Sequence, residues 1–273
     1  MSYYYLISGL PDLTLEVPVK IDFQEALDTI ERNLEEKDKI LFPYVIYPND
    51  NRNFLNFLFH EHKDFPSGEW LQPSILAKET IQGYHRARGV LPPYMEEFVS
   101  DYQDQFSSMT LASMEERLRE MFYDEVKNLP EPFIMDYFGF EEKLRKAVAA
   151  YNFSYFNFLS PLPDNEDDVF HQLGKHKSIP ASLQHEYPFL NDIGEVFEEL
   201  TPGRVERWLD QIKWDYLSNL GGFFKAEHVL AYTLKLLIVW RWQRLEKERD
   251  QPHFKTRAEK IKTTIPSPKI PLI

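Results

Sequence analysis

The residues of this sequence that are best able to do chemistry are its clustered histidines and carboxylates. The densest cluster is FHEHKD, in which His60, Glu61, His62 and Asp64 offer nitrogen and oxygen ligands for a metal ion. On a helix, residues two apart point about 200° away from each other, so His60 and His62 cannot both reach one ion. The spacing therefore favours polar residues at a helix end over a metal site.

Paired carboxylates are the second candidate, because general acid or base catalysis uses a carboxyl group held out of water. The pairs are Glu96 and Glu97, Glu115 and Glu116, Asp167 and Asp168, and Glu198 and Glu199. Such abundance is typical of the polar faces of helices. The ten glycines form no phosphate-binding loop, no GxGxxG and no GxSxG. We therefore expect no catalytic, cofactor-binding or metal-binding residues, and a protein that is not itself an enzyme.

The amino-acid composition limits which kinds of partner the protein can bind and in which compartment it is expected. The 273 residues are 43% hydrophobic and 15% aromatic, enough for a sizeable core. A net charge of -13 argues against nucleic-acid binding, which needs clustered basic residues. Cysteine is absent, which excludes disulfides and fits a reducing compartment. The start MSYYYLISGLPDLTLE has no basic region followed by a long apolar run, so we expect no signal peptide and a cytoplasmic protein.

The elements that carry these residues are predicted to be helices. Apolar residues recur at spacings of three and four, and clear strand alternation is missing. The first predicted helix begins at a capping box of Asp22 and Glu25 and ends near Lys37, the second begins at a cap on Asp50, and the third follows Pro92 and Pro93. The fourth runs from Thr110 to Pro130, the fifth extends from Pro132 to about Tyr151, and the sixth begins at Thr201 and Pro202. The pattern predicts an all-α fold.

The order of these helices predicts several bundles. Prolines, a glycine and charges between the two halves of the chain are typical of a loop. We predict N-terminal helical bundles over residues 1–160, a linker over 161–187, a C-terminal helical bundle over 188–262 and an extended tail over 263–273. The helices also fall into three groups, 22–107, 110–160 and 186–262, which could form three quasi-equivalent bundles in an elongated or funnel-like body.

The last long helix, predicted from Phe224 to Leu245, is apolar over most of its circumference and must be surrounded by other helices. Lys235 interrupts the apolar run, so we expect no direct membrane span. The candidates for structural or docking roles are Tyr232, Lys235, Arg241 and Trp242. Lys235 has two interpretations. In the first, it has an ordinary structural role, either at a helix edge or paired with a core glutamate. In the second, it forms an interhelical ion pair that fixes how the bundles dock. His228, Lys235 and Trp242 are seven apart and lie near one stripe.

Two strings, FIMDYFGFEEKLRKAVAAYN (Phe133 to Asn152) and AEHVLAYTLKLLIVWRWQRLEKE (Ala226 to Glu248), resemble the family of V/A-type ATPase C subunits, whose eukaryotic members are the d subunits of V-ATPases. Leu144, Arg145, Ala147, Ala149 and Asn152 match the first pattern, and Leu230, Ala231, Tyr232, Leu234 and Lys235 match the second. The N-terminal SYYYLISGLPDL (Ser2 to Leu13) looks closer still to an uncharacterised bacterial family encoded among V-type ATPase genes.

The resemblance implies three small helical bundles arranged as a funnel, which receives the foot of the rotating central stalk and sits on the membrane ring of proteolipid subunits. It implies a non-catalytic connector that is peripheral on the cytoplasmic face of the membrane and has no cofactor. Two alternatives remain from the residues alone. One is a free-standing helical adaptor with an unrelated partner, and the other is an all-helical metal-assisted hydrolase.

Overall fold

The computed structural model describes residues 3–16, 21–63, 68–129, 131–156, 181–198, 201–220 and 225–249. These residues are mainly helical and contain no β-strand, which confirms the predicted all-α class. In chain order the helices are α1 (Tyr4–Gly9), α2 (Phe23–Asn33), α3 (Glu36–Lys39), α4 (Phe42–Lys63), α5 (Lys78–Gln82), α6 (Pro93–Tyr102), α7 (Leu111–Lys127), α8 (Pro132–Phe156), α9 (Ala181–Glu186), α10 (Ile193–Glu198), α11 (Pro202–Asn219) and α12 (Ala226–Arg249). Short 3-10 turns cover Tyr84–Arg86, Gln103–Gln105 and Pro188–Asn191.

Several predicted helix starts are confirmed. The carboxylate of Asp22 accepts a hydrogen bond from the Glu25 amide at 3.0 Å and caps α2. Thr110 caps α7 through a reciprocal pair of hydrogen bonds with Ser113. Proline occupies the first position of both α6 and α11, where its missing N–H costs no helical hydrogen bond.

The prediction that the first helix ends near Lys37 is wrong. Helix α2 stops at Asn33, and a separate short helix α3 follows. The Tyr3 hydroxyl accounts for the break, because it accepts a hydrogen bond from the Glu35 amide at 2.9 Å and donates one to Asp38 at 2.6 Å. A residue remote in the sequence thus satisfies backbone groups that a continuous helix would have used.

The predicted cap at Asp50 is also wrong. Helix α4 begins eight residues earlier, at Phe42, and includes Pro48. Proline cannot donate to the carbonyl four residues before it, which makes a helix start after Pro48 the natural interpretation of the sequence. Burial of Phe42, Val45 and Ile46 continues the apolar face of the helix across that proline. Asp50 therefore lies inside the helix and is fully buried.

The main hydrophobic core surrounds α12, as predicted for the last long helix. Helix α12 packs against α2, α4 and α11. Leu230, Leu236 and Val229 are fully buried, and the ring of Trp240 stacks on Phe23 of α2 at 5.2 Å. Residues of α4, α6, α7 and the first half of α8 belong to the same core. The last long helix and the N-terminal helices therefore share one core.

A second, smaller core joins the later part of α8 to the residues after 180. Its buried members are Ala147, Ala150, Leu183, Leu190, Ile193 and Phe197. The predicted linker 161–187 is described only at its end, where α9 begins at Ala181. The main core thus crosses the predicted boundary, and the boundaries themselves stay a prediction. The tail 263–273 and the glycines 221 and 222 lie outside the described residues.

Membrane insertion would require a helix that is both long and apolar. No described helix combines the length and the apolar character needed to cross a bilayer.

Candidate functional site

A cavity of about 520 Å³ lies between α4, α7, α8, α11 and α12. We call it the central cleft. Its apolar lining includes Phe122, Phe138, Leu237 and Ile238. Charged side chains from four of these helices also reach it. Among the described residues these are the cations Arg119, Arg145, Lys213, Arg241 and Arg244 and the carboxylates Glu141, Glu206 and Asp210. A cationic surplus in a cavity contrasts with the acidic character of the whole chain.

Ion pairs join α11 to the helices on either side of it across the central cleft. The ammonium of Lys213 on α11 donates a hydrogen bond to Glu141 of α8. The guanidinium of Arg241 on α12 binds Asp210 and, at 3.0 Å, Glu206, both on α11. Asp210 is only 4% exposed, so its charge depends on Arg241 for compensation. These pairs fix the position of α11 between α8 and α12.

A second set of ion pairs lies where α7 and α8 meet. Glu116 accepts hydrogen bonds from Arg119 at 3.1 Å and from Arg145 at 2.9 and 3.0 Å. One carboxylate therefore serves two guanidinium groups. The Nε–H of Arg145 is buried and makes no hydrogen bond to any residue that the structure describes. This part of the central cleft thus has more hydrogen-bond donors than acceptors.

Two buried tyrosines, Tyr123 of α7 and Tyr137 of α8, also line the central cleft. Each is 4% exposed. Neither hydroxyl makes a hydrogen bond within the described part of the chain, although most buried tyrosine hydroxyls have a partner. Burial raises the pKa of both phenols, so both stay protonated and can donate. Glu141 adds to the rise in the pKa of Tyr123, and Arg145 and Arg119 oppose it.

One edge of the central cleft is formed by the first half of the loop 71–76, through Leu71, Gln72 and Pro73. Three polar residues of α4 hold this loop in place. Asn53 binds both backbone groups of Leu71, at 3.0 and 2.7 Å, and Asn49 donates to the Pro73 carbonyl at 3.0 Å. Asp50 accepts from the Ser74 hydroxyl at 2.5 Å and from the Ile75 amide at 3.1 Å. The loop therefore depends on buried side-chain hydrogen bonds of α4.

Asp50 is the most strongly perturbed carboxyl group beside this loop. Burial raises its pKa to about 6, and the hydrogen bonds from Ser74, Ile75 and Leu76 oppose that rise. The nearby phenols of Tyr47 and Tyr94 stay protonated, since burial raises the pKa of both. Asp50 alone in this group therefore changes charge near neutral pH.

Two of the predicted docking residues, Arg241 and Trp242, meet at one carboxylate. The Trp242 Nε1–H donates to Asp210 at 2.6 Å, and Arg241 binds the same oxygen. The guanidinium of Arg207 also lies over the Trp242 ring at 4.8 Å. Of the two, Arg241 lines the central cleft. Both side chains are used to attach α12 to α11.

The other two predicted docking residues lie on different faces of α12. The ammonium of Lys235 donates to the Ser218 hydroxyl at 2.8 Å and lies 4.9 Å from the centre of the Trp214 ring. Burial lowers its pKa, and Asp215 opposes that change. The Tyr232 hydroxyl donates to the Pro11 carbonyl at 2.8 Å, and burial raises its pKa to about 12. The four candidates thus do not form one site.

The clustered histidines and carboxylates have separate surroundings. No group of three or more potential metal ligands occurs among the described residues, and Asp64 lies outside them. The His62 ring packs 5.5 Å from the Phe106 ring. Glu115 binds Arg52 at 2.5 Å, and Glu96 accepts from the amides of Gly89 and Leu91. Asp167, Asp168 and Glu199 lie outside the described residues.

The sequence did not mark Tyr123, Tyr137 or Asp210 as residues of a site, and it marked Arg145 only as part of the pattern that resembles the ATPase C subunits. Both tyrosines follow the apolar period of their helices and look like core residues. Asp210 and Arg145 carry a weak signal, because each interrupts an apolar face. That signal does not reveal that α7, α8, α11 and α12 face a common cavity.

Comparison with known families matches residues 1–265 to the family described as protein of unknown function (DUF2764). No curated protein and no solved structure matches the chain significantly. The family match spans nearly all of the 273 residues, including every helix described above. The chain therefore belongs to the DUF2764 family.

Proposed function

We propose that the protein is a non-catalytic connector in the central stalk of a V/A-type rotary ATPase. In this role it couples the rotor shaft to the membrane ring of proteolipid subunits and is peripheral on the cytoplasmic face. The proposal rests on the resemblance of three strings of the sequence to the C subunits of these ATPases and to related proteins. Its partners are the central-stalk subunits and the proteolipid ring.

One observation supports the proposal most directly: the string on α12 lies beside each of the other two strings that carry the resemblance. Residues of α8, such as Tyr137, and residues of α12, such as Ile238, line the same cavity. The N-terminal string joins them, because Tyr232 of α12 donates a hydrogen bond to the Pro11 carbonyl across 221 positions of sequence. The three patterns therefore belong to neighbouring parts of the fold, as expected if one function uses them together.

The surface and the packing are compatible with a protein that binds other proteins. Tyr5 is 89% exposed and Tyr4 is 51% exposed, and their rings contact each other. Exposed aromatic side chains supply much of the affinity of protein interfaces. The main helices share one core, and ion pairs join α11 to α8 and α12, which suits a part that must keep its shape between two partners.

The test is to tag the protein at its native level in its own cells, solubilise membranes gently and identify the retained proteins by mass spectrometry. We expect recovery of the ATPase A, B, D and F subunits together with the proteolipid ring. A parallel sample with the same tag on an unrelated helical protein measures nonspecific recovery.

The opposite result is equally clear. Recovery of none of these subunits, with the protein entirely in the soluble fraction, would overturn the connector role and favour a free-standing helical adaptor. Stoichiometric metal in the purified protein, with an activity lost in His60→Ala, would favour the hydrolase instead.

A further inference from the structure

We propose that the central cleft is a binding site for a small organic anion, with a carboxylate or phosphate group and an apolar body. The hydroxyl groups of Tyr123 and Tyr137 and the guanidinium group of Arg145 would bind the anionic group. This site is separate from the protein contacts of the connector role, and its test needs only the purified chain.

The central cleft contains hydrogen-bond donors that have no acceptor in the described part of the chain. Tyr123 and Tyr137 are each more than nine-tenths buried, line the cavity and have no hydrogen-bond partner among the described residues. Neither hydroxyl is among the buried unpaired side-chain atoms, so both are open to the cavity and can donate to a group bound there. The guanidinium of Arg145, on the same helix as Tyr137, lines the same cavity, so donors of two kinds face it.

The lining of the central cleft favours an anionic acceptor, because its cations outnumber its carboxylates by five to three among the described residues and each of these carboxylates has a cationic partner. Arg119 and Arg145 share the single carboxylate of Glu116, which is 42% exposed. The opposite walls add Lys213 and Arg241, whose carboxylate partners are Glu141, Glu206 and Asp210. Glu141 lies near both tyrosines and is itself paired with Lys213, so the two arginines that share Glu116 leave a surplus of positive charge where α7 and α8 meet. Guanidinium and phenol donors together suit carboxylate and phosphate oxygens.

The remaining walls of the cavity are apolar and indicate that the body of the ligand is apolar too. Phe122, Phe138, Leu237 and Ile238 supply apolar walls. A volume of about 520 Å³ lies in the range of cavities that hold small organic molecules. A bare inorganic ion would leave these walls without contacts. The combination of few converging donors and apolar walls therefore favours an organic anion.

The test uses the full-length protein and three probes of one size: phenyl phosphate, phenylacetate and benzyl alcohol. Binding is measured by isothermal titration calorimetry and by ligand-detected NMR. We expect at least one of the two anions to bind at least about tenfold more tightly than the alcohol, because hydrogen bonds to a charged group are the stronger ones. Comparison of the two anions identifies whether phosphate or carboxylate is preferred.

The decisive variant is the double substitution Tyr123→Phe with Tyr137→Phe. It removes two hydroxyls that make no hydrogen bond to the described protein, so the thermal midpoint should not fall. We expect the anion affinity to fall at least about tenfold. The matched control is Tyr102→Phe, which removes a phenol outside the cavity. A second pair compares Arg145→Gln with Arg117→Gln, since both arginines bind glutamates of α7 and only Arg145 lines the cavity.

Three results would overturn the proposal. The first is that neither anion binds the wild-type protein at millimolar concentration. The second is that the double variant binds both anions as tightly as the wild type does. The third is that Tyr102→Phe and Arg117→Gln weaken binding as much as the variants in the cavity.

Discussion

At the scale of single residues, the buried carboxyl group of Asp50 shows how one side chain can set the position of a loop. Its oxygens accept hydrogen bonds from Ser74, Ile75 and Leu76, which follow directly on the loop residues that line the central cleft. A carboxylate in a buried place is costly unless donors surround it. Asp50 has such donors, and burial still raises its pKa to about 6.

We predict that Asp50 makes the stability of the protein depend on pH. Its folded-state pKa of about 6 lies above its ordinary value of 3.8, so the folded chain holds the proton more tightly than the unfolded chain does. The stability that Asp50 contributes is therefore complete below about pH 4 and is lost as pH rises through about 6. Relative to Asp50→Asn, the wild type should gain about 2 kcal/mol between pH 7.5 and pH 4.5.

Urea unfolding of both proteins at several pH values measures this difference, and Asp101→Asn, an exposed carboxyl on α6, is the control. A difference between wild type and Asp50→Asn that stays constant with pH would contradict the prediction.

Lys235 gives the second prediction at this scale. Its ammonium binds a serine hydroxyl and an indole ring, and the interhelical ion pair considered from the sequence is not among its described contacts. Because burial already lowers its pKa, Lys235→Met should leave the free energy of unfolding unchanged within about 1 kcal/mol or raise it. Lys247→Met, an exposed position of the same helix, is the control. A loss of more than about 2 kcal/mol in Lys235→Met alone would support the ion-pair interpretation.

At the scale of elements, the attachment of α11 to α12 depends on one buried carboxylate. Asp210 binds both Arg241 and the Trp242 Nε1–H. Asp210→Ala leaves a half-buried guanidinium and an indole N–H without this acceptor, so we expect a loss of about 2 to 4 kcal/mol in the free energy of unfolding. Asp215→Ala removes an exposed carboxylate of the same helix, which accepts a hydrogen bond from Gln211, and should cost less than about 0.5 kcal/mol.

Chemical denaturation of the two variants measures the contrast. Equal losses in Asp210→Ala and Asp215→Ala would show that the buried acceptor has no special role.

The elements also show what the sequence can and cannot predict. Helices with local signals, such as the Thr110 cap or the prolines before α6, were predicted because their causes lie within a few residues. The break after Asn33 and the course of α4 through Pro48 were not, because Tyr3 and the core that covers Phe42 lie elsewhere in the chain. The central cleft was missed for the same reason. Its tyrosines have the spacing of core residues, and only tertiary packing shows that their hydroxyls lack partners.

At the scale of the whole molecule, α12 connects segments that are far apart in sequence. Leu236 is fully buried in a core that includes α2, α4 and α8. A substitution of Leu236 should therefore destabilise helices outside the C-terminal segment as well. Leu236→Ala should lower the free energy of unfolding by about 2 to 5 kcal/mol. In hydrogen exchange, protection should fall in α2 and α4 as well as in α11.

The control for this prediction is Leu245→Ala, at a position of the same helix that is 40% exposed. Faster exchange confined to α11 and α12 in Leu236→Ala would show that the N-terminal helices are stable independently.

The hydrogen bond between Tyr232 and the Pro11 carbonyl has a consequence for synthesis on the ribosome. The chain emerges from its N-terminus, so α1 to α8 leave the exit tunnel well before the helix around which they pack. Their apolar faces therefore stay exposed until α12 has been translated. The nascent chain is then a natural client for chaperones, and completion of the native fold requires the synthesis of α12.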